Sequence, residues 1–255
     1  MYFVGIDIGS LSTDGVIAKG GAVVEQRVIP TGSSSESAGA SMLSMLLEDA
    51  KIRREDVSKI VTTGYGRRSV DFTDKAVTEI TCHALGAKKL FPEARTVIDI
   101  GGQDSKVIVL EPDGRVADFA MNDKCAAGCG RFLEVMASAL GMKPEDMGDA
   151  AAASTKEVVI SGVCTVFAES EVVGLVAKGV PPEDIVKGLC LSVARRVGSM
   201  AARLKAKGPF VLTGGVAKNG GVAEALSGVL KSEVFLPREP QTVGALGASI
   251  IAERL

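Results

Sequence analysis

Two stretches of this chain carry the same unusual pattern, and their repetition limits the folds open to it. Residues 96–110 read as an apolar strand, Val97-Ile98-Asp99-Ile100, then a polar turn, Gly101-Gly102-Gln103-Asp104-Ser105, then a second apolar strand from Lys106. Near the N-terminus the order returns: Asp7 matches Asp99, Ile8 matches Ile100, Gly9 matches Gly101 and Thr13 matches Ser105. Val16 and Ile17 then match Ile108 and Val109, and both copies run on into another turn. An internal repeat of this kind predicts two structurally similar halves. Glycine lets the backbone bend and lets main-chain N–H groups approach a bulky anion. A carboxylate ending each first strand suits a hydrated cation, so two such hairpins facing each other suit a metal-bound polyphosphate.

The rest of the chain alternates strands and helices, an α/β pattern. A third strand is expected over 23–29, a helix over 36–50, a strand over 60–63 and a helix over 75–90 that carries Glu79, Cys82 and the single histidine, His83. Gly64 to Arg68 reads as a flexible basic turn, with Arg67 and Arg68 either touching a partner or lying in solvent. After the second hairpin come a strand over 115–120, a small-residue loop Cys125-Ala126-Ala127-Gly128-Cys129-Gly130, and helices over 131–140 and 144–153. Gly141 sits where a helix cap is expected. Residues 158–165 read as a strand and turn, 167–178 as a helix, and 181–207 as a long amphipathic helix opened by two prolines. The strand from Phe210 runs into Thr213-Gly214-Gly215, a third glycine turn against which a flat ring such as adenosine fits. A short strand over 234–237 precedes an alanine- and glycine-rich helix over 241–255 that crosses back to the first half.

Composition narrows the function classes. Net charge is −2 over 255 residues, so no basic surface argues for nucleic acid or an acidic membrane. No apolar run reaches membrane-spanning length and no basic leader opens the chain, which places the protein in the cytoplasm as an expectation. Five cysteines, an odd number, are no disulfide framework in a reducing compartment. Cys125, Cys129 and Cys164 lie near glycine-rich turns, whereas Cys82 and Cys190 fall within helices and read as buried apolar thiols. A cubane iron–sulfur cluster needs four thiolates, which two chains can supply in pairs across a twofold axis. A structural zinc site using Cys125, Cys129, Cys164 and a partner's cysteine is the alternative.

In order, DIGSLSTDG, DIGGQDSK, LTGGVAKN and TVGALGAS resemble the ATPase superfamily of actin, sugar kinases and heat-shock chaperones. Within it, TGYGRRSV, EITCHALGA, the cysteine loop with GRFLEVMA, and CTVFAESEVVG are similar to the activator ATPases of 2-hydroxyacyl-CoA dehydratases and their benzoyl-CoA reductase relatives. The resemblance covers nearly the whole chain. It implies an α/β, two-domain actin-like (ribonuclease H-like) fold with duplicated mixed-sheet halves. The first half is 1–95, joined by the helix of 240–255, and the second is 96–239. It implies ATP or ADP with Mg²⁺ in the cleft, held by Asp7, Gly9, Ser10, Ser12, Thr13, Asp99, Gly101, Gly102, Lys106, Gly214, Gly215, Ala217 and Asn219. Glu79 is the candidate to orient the attacking water, with Gln103 or Asp104 as rivals.

The family further implies a homodimer sharing one 4Fe–4S cluster through Cys125 and Cys164, with Cys129 a small residue at a helix start. That cluster passes one low-potential electron, driven by ATP, to an iron–sulfur partner: a dehydratase, an aryl-CoA reductase or a double-cubane-cluster protein. Reduced ferredoxin or flavodoxin is the implied donor. His83 reads as packing or interface. One departure stands out: relatives usually carry lysine where the first loop has Asp14, while the second loop keeps Lys106. The competing functions are a small-molecule kinase of the same superfamily and a non-catalytic nucleotide-dependent scaffold.

Overall fold

The computed structural model describes residues 1–161 and 164–255. The first hairpin and its extension form an antiparallel meander, β1 (Tyr2–Ile8), β2 (Ser12–Lys19) and β3 (Ala22–Pro30), with β4 (Val57–Thr63) and β5 (Lys75–Ala76) added in parallel beyond β1. The sheet order is β3-β2-β1-β4-β5. The second sheet repeats it: β6 (Thr96–Ile100), β7 (Ser105–Leu110), β8 (Val116–Asn122), β9 (Phe210–Thr213) and β10 (Val234–Phe235) stand in the order β8-β7-β6-β9-β10. The sequence repeat is therefore a repeat of topology.

Both sheets are covered on both faces, which is why their central strands are almost continuously apolar. On the first sheet Val4, Ile6, Ile8 and Ile17 meet Met42, Leu43 and Leu46 of α1 (Ser35–Ala50). The other face is closed by α8 (Val243–Glu253), with Ala248 and Ala252 on Val61 and Ala245 and Leu246 on Val16. On the second sheet Ile98, Ile100 and Val107 meet α6 (Pro182–Arg203) through Ile185, Leu189 and Val193. Its opposite face takes Ala84 and Ala87 of α2 (Glu79–Leu90), packed on Val97, Ile108 and Val211. Each half thus sends its last helix to the other half's sheet. Among the described residues no helix is long and apolar enough to cross a membrane.

The exchanged helices touch backbone to backbone. Ala84-Leu85-Gly86-Ala87 of α2 and Ala245-Leu246-Gly247-Ala248 of α8 are the same four residues, and the contacts are reciprocal. A Cβ on Gly86 would strike the carbonyl oxygen of Val243, and one on Gly247 would strike that of Cys82. Gly247→Ala should therefore cost about 1–3 kcal/mol by overpacking, whereas Gly228→Ala in α7 (Gly220–Leu230), with open space around it, should be neutral or slightly stabilising. Urea unfolding of the two variants checks this; equal effects would contradict the crossing.

Two expectations differ from the observed elements. The helix expected over 75–90 begins only at Glu79, because Lys75 and Ala76 pair with Val61 and Thr62, and Val77 N–H donates to the Thr62 carbonyl at 2.9 Å. The strand expected over 158–165 does not form in its described part, and Gly162 and Val163 lie outside the described residues. Instead 154–160 runs against α6: Val158 lies over Gly188, whose Cβ would collide with it, and Asp184 Oδ1 accepts from Ser154 Oγ and from the N–H groups of Thr155 and Lys156 at 2.8, 3.1 and 3.0 Å. The next described element is helix α5 (Thr165–Ala177).

Candidate active site

The two hairpin turns face each other across a cleft of ≈ 760 Å³. They are built alike: Gly9 N–H donates to the Ser12 carbonyl at 2.9 Å, and Gly101 N–H donates to the Asp104 carbonyl at 3.0 Å. Leu11 of the first turn lies directly against Gly102 of the second, where a side chain would collide with it. Behind each turn the strand register sets a row of three polar residues. Asp7 pairs with Asp14 on one side and Thr63 on the other, and Asp99 pairs with Lys106 and Thr213. A glycine ends each row, Gly64 and Gly214, both at φ 85°. A Cβ at either would collide with the neighbouring aspartate or carbonyl, so these turns require glycine.

The charged centre of the cleft is built around the buried Lys106 and Asp99. Lys106, 1% exposed, donates to Asp104 Oδ1 at 2.7 Å and Asp99 Oδ2 at 3.1 Å, with Glu79 Oε2 at 3.3 Å. Burial works against its charge, but Asp99, Glu79 and Asp104 outweigh it and hold the ammonium well above its ordinary range. His83 sits between the two strand-end aspartates, Nε2 3.6 Å from Asp7 Oδ2 and Nδ1 3.7 Å from Asp99 Oδ1, with Thr213 Oγ1 at 3.1 Å from Nδ1. Burial lowers its pKa, yet Asp99 and Asp7 raise it to about 9, so the ring is an imidazolium at neutral pH. Asp99 is pushed up by burial but pulled further down by His83 and Lys106, and stays below the usual carboxylate range. Glu79 is raised, chiefly by burial, with Lys106 opposing. Asp14 is raised well above the usual range by burial and then by Asp7.

The cleft brings together most of the residues singled out from the sequence: Asp7, Gly9, Ser10, Ser12, Glu79, Asp99, Gly101, Gly102, Gln103, Asp104, Lys106, Gly214, Gly215 and Asn219 all line it. Thr13 does not, because strand alternation turns it to the opposite face, where its hydroxyl meets that of Thr31 at 2.9 Å. Ala217 is buried beside the third turn and does not line the cleft either. His83 belongs to the cleft rather than to packing or an interface. The sequence reading also passed over Thr63-Gly64, the structural counterpart of Thr213-Gly214; the shared Thr-Gly after an apolar strand was its signal. Lys218 and Tyr65 line the cleft too.

The cysteines lie apart from it. Cys82, Cys129 and Cys190 are buried, and burial pushes the Cys82 and Cys190 thiols up to about 12. Cys129 occupies the N-cap position of α3 (Gly130–Ala139), its thiol against the Ala126 carbonyl at 2.8 Å. Cys125 is half-buried and Cys164, at the N-cap of α5, is exposed. Among the described residues no three of His, Cys, Asp or Glu are grouped to hold a metal within one chain. That counts against a zinc site drawing three cysteines from one subunit.

Known proteins match this arrangement along its length. The activator of lactoyl-CoA dehydratase from Anaerotignum propionicum is 47% identical over 253 residues, 99% of this chain and 97% of that one. The solved activator of the 2-hydroxyisocaproyl-CoA dehydratase from Clostridium difficile, with bound ADPNP, superposes with a TM-score of 0.95 at 44% identity, covering 99% of this chain and 94% of the other. Component A of the Acidaminococcus fermentans (R)-2-hydroxyglutaryl-CoA dehydratase gives a TM-score of 0.97 at 45% identity over 100% and 98% of the two chains. The fold is thus the two-domain actin-like α/β ATPase fold. With residues 4–252 matched by the family model, the chain belongs to the BadF/BadG/BcrA/BcrD ATPase family.

Proposed function

We propose that this ATPase is an activator: it uses ATP binding and hydrolysis to drive one low-potential electron from a 4Fe–4S cluster into a partner iron–sulfur protein. The observation that carries the reading is the presence, in one chain, of two facing acid-tipped turns and just two accessible thiols, Cys125 and Cys164, near the starts of α3 and α5. The relatives above support it by their names, which are those of dehydratase activators. The partner is accordingly a 2-hydroxyacyl-CoA dehydratase or a related double-cubane or aryl-CoA reductase protein. Ferredoxin or flavodoxin supplies the electron in the cytoplasm.

In this reading the two strand-end carboxylates, Asp7 and Asp99, hold Mg²⁺ through water, and the turns at Gly9-Ser10 and Gly101-Gly102 receive phosphate oxygens. Gly214, Gly215 and Asn219 lie along the adenosine. Glu79, its pKa raised by burial with Lys106 opposing, orients the attacking water, with Gln103 and Asp104 beside it. The domains that close on the nucleotide are 1–95 with 240–255, and 96–239, turning about the α2–α8 crossing.

Two thiolates per chain meet the four-thiolate need of a cubane cluster when two chains meet at a twofold axis. The cluster, when bound, supplies reversible one-electron chemistry at low potential. Behind Cys164, helix α5 exposes Val166, Phe167, Val173 and Val176, an apolar face suited to a second copy of the chain. Iron and acid-labile sulfide in protein purified without oxygen test the reading. About four irons per two chains are expected, lost in Cys164→Ser. No iron after anaerobic reconstitution would overturn it and redirect the search to phosphoryl acceptors.

A further inference from the structure

The two polar rows behind the turns occupy equivalent places, yet only one is complete. In the second sheet Lys106 donates to Asp99, and Thr213 Oγ1 lies 3.2 Å from Asp99 Oδ1. In the first sheet Asp14 stands where Lys106 stands, opposite the strand-end aspartate in the ladder. Asp14 is 6% exposed and lines the cleft. Its Oδ2 accepts from Ser12 Oγ at 3.1 Å, while its Oδ1 has no hydrogen-bond partner. Among the described residues Asp14 enters no ion pair; His83 reaches Asp7 instead. A buried carboxylate without a cation is costly, and an unpartnered carboxylate oxygen on the lining of the cleft is open to a ligand that supplies positive charge.

We propose that Asp14 and Asp7 hold a metal cation with oxygen ligands in the place that the Lys106 ammonium fills in the other half. It is separate from the cation held between Asp7 and Asp99 with the nucleotide, and the inference rests on the nucleotide reading of the cleft. Lys106 faces Asp99, Asp104 and Glu79, and His83 lies between Asp99 and Asp7, whereas Asp14 stands opposite Asp7 with no cation of its own among the described residues, so a hard cation, divalent or monovalent, supplies what the first row lacks. Hard cations of either charge take carboxylate oxygens together with phosphate and water. The exchangeable ion would give the first turn the positive charge toward phosphate that a fixed lysine gives the second.

The test counts Mn²⁺ by electron paramagnetic resonance on the full-length chain with a non-hydrolysable ATP analogue, whose own binding is measured in parallel. A divalent site predicts about two Mn²⁺ per chain in the parent and about one in Asp14→Asn and in Asp14→Lys. A monovalent site predicts one Mn²⁺ throughout. In that case exchanging K⁺ for choline weakens the analogue by about tenfold in the parent, as loss of a supporting ligand contact does, and leaves Asp14→Lys unchanged. One Mn²⁺ in all three proteins with no effect of K⁺ overturns the proposal. Failure of the parent to bind the analogue at all overturns the nucleotide reading, and the inference with it.

Discussion

Lys106→Met should destabilise the nucleotide-free protein by about 3–5 kcal/mol at pH 7.5, the usual consequence of removing one partner from a buried ionic cluster. Methionine keeps the apolar stem but leaves Asp99, Asp104 and Glu79 around an uncharged group. Asp99 is 3% exposed and has only the His83 imidazolium left to balance it. The variant's carboxylates then favour their protonated forms, so the gap between parent and variant should narrow as the pH falls toward 5. Urea unfolding at the two pH values, at unchanged slope m, measures both parts. A loss below about 1 kcal/mol at pH 7.5 would mean that Lys106 is no keystone of this cluster, because an exposed pair loses no more than that.

The second large effect is a pH slope owed to His83. Its folded pKa of about 9 lies above the unfolded value near 6.5. A group raised in this way contributes its full stabilisation below the unfolded pKa and loses it as the pH climbs through the folded one. The native protein binds more protons than the unfolded chain between about pH 6.5 and 9, so its stability falls across that window, by about 3 kcal/mol at 1.36 kcal/mol per unit. His83→Gln keeps a polar side chain without the proton and should remove most of the slope. Parallel stability–pH curves for parent and variant would sink the assignment of the imidazolium to His83.

What could be read from the chain alone was what repeats in local order. The turns at Gly9 and Gly101 share residue types at the same spacing, so the hairpins, their facing arrangement and most of the cleft lining were legible there. What escaped notice depends on tertiary register. Thr63-Gly64 and Thr213-Gly214 gain meaning only when β4 and β9 are placed beside β1 and β6. His83 looks like any helical residue until α2 is laid across the joint between the sheets. Lys75 to Thr78 are acceptable in a helix, but an open edge beside β4 offers their backbone a ladder, and that claims them. The segment 158–160 has strand-like residues without a free edge, and Asp184 and Gly188 draw it along α6 instead.

The crossing of α2 and α8 also fixes what can stand beside the buried imidazole. His83 and Gly244 each precede the same Ala-Leu-Gly-Ala, and they meet where the two helices cross: a Cβ on Gly244 would lie 2.8 Å from His83 Nε2 and would collide with Asp7. The same local motif therefore carries a ring on one helix and only hydrogen on the other, and the space left at 244 is where the ring reaches Asp7. Equal sequence at the crossing ends in unequal roles: α2 supplies the group between the strand-end aspartates, and α8 supplies the room for it.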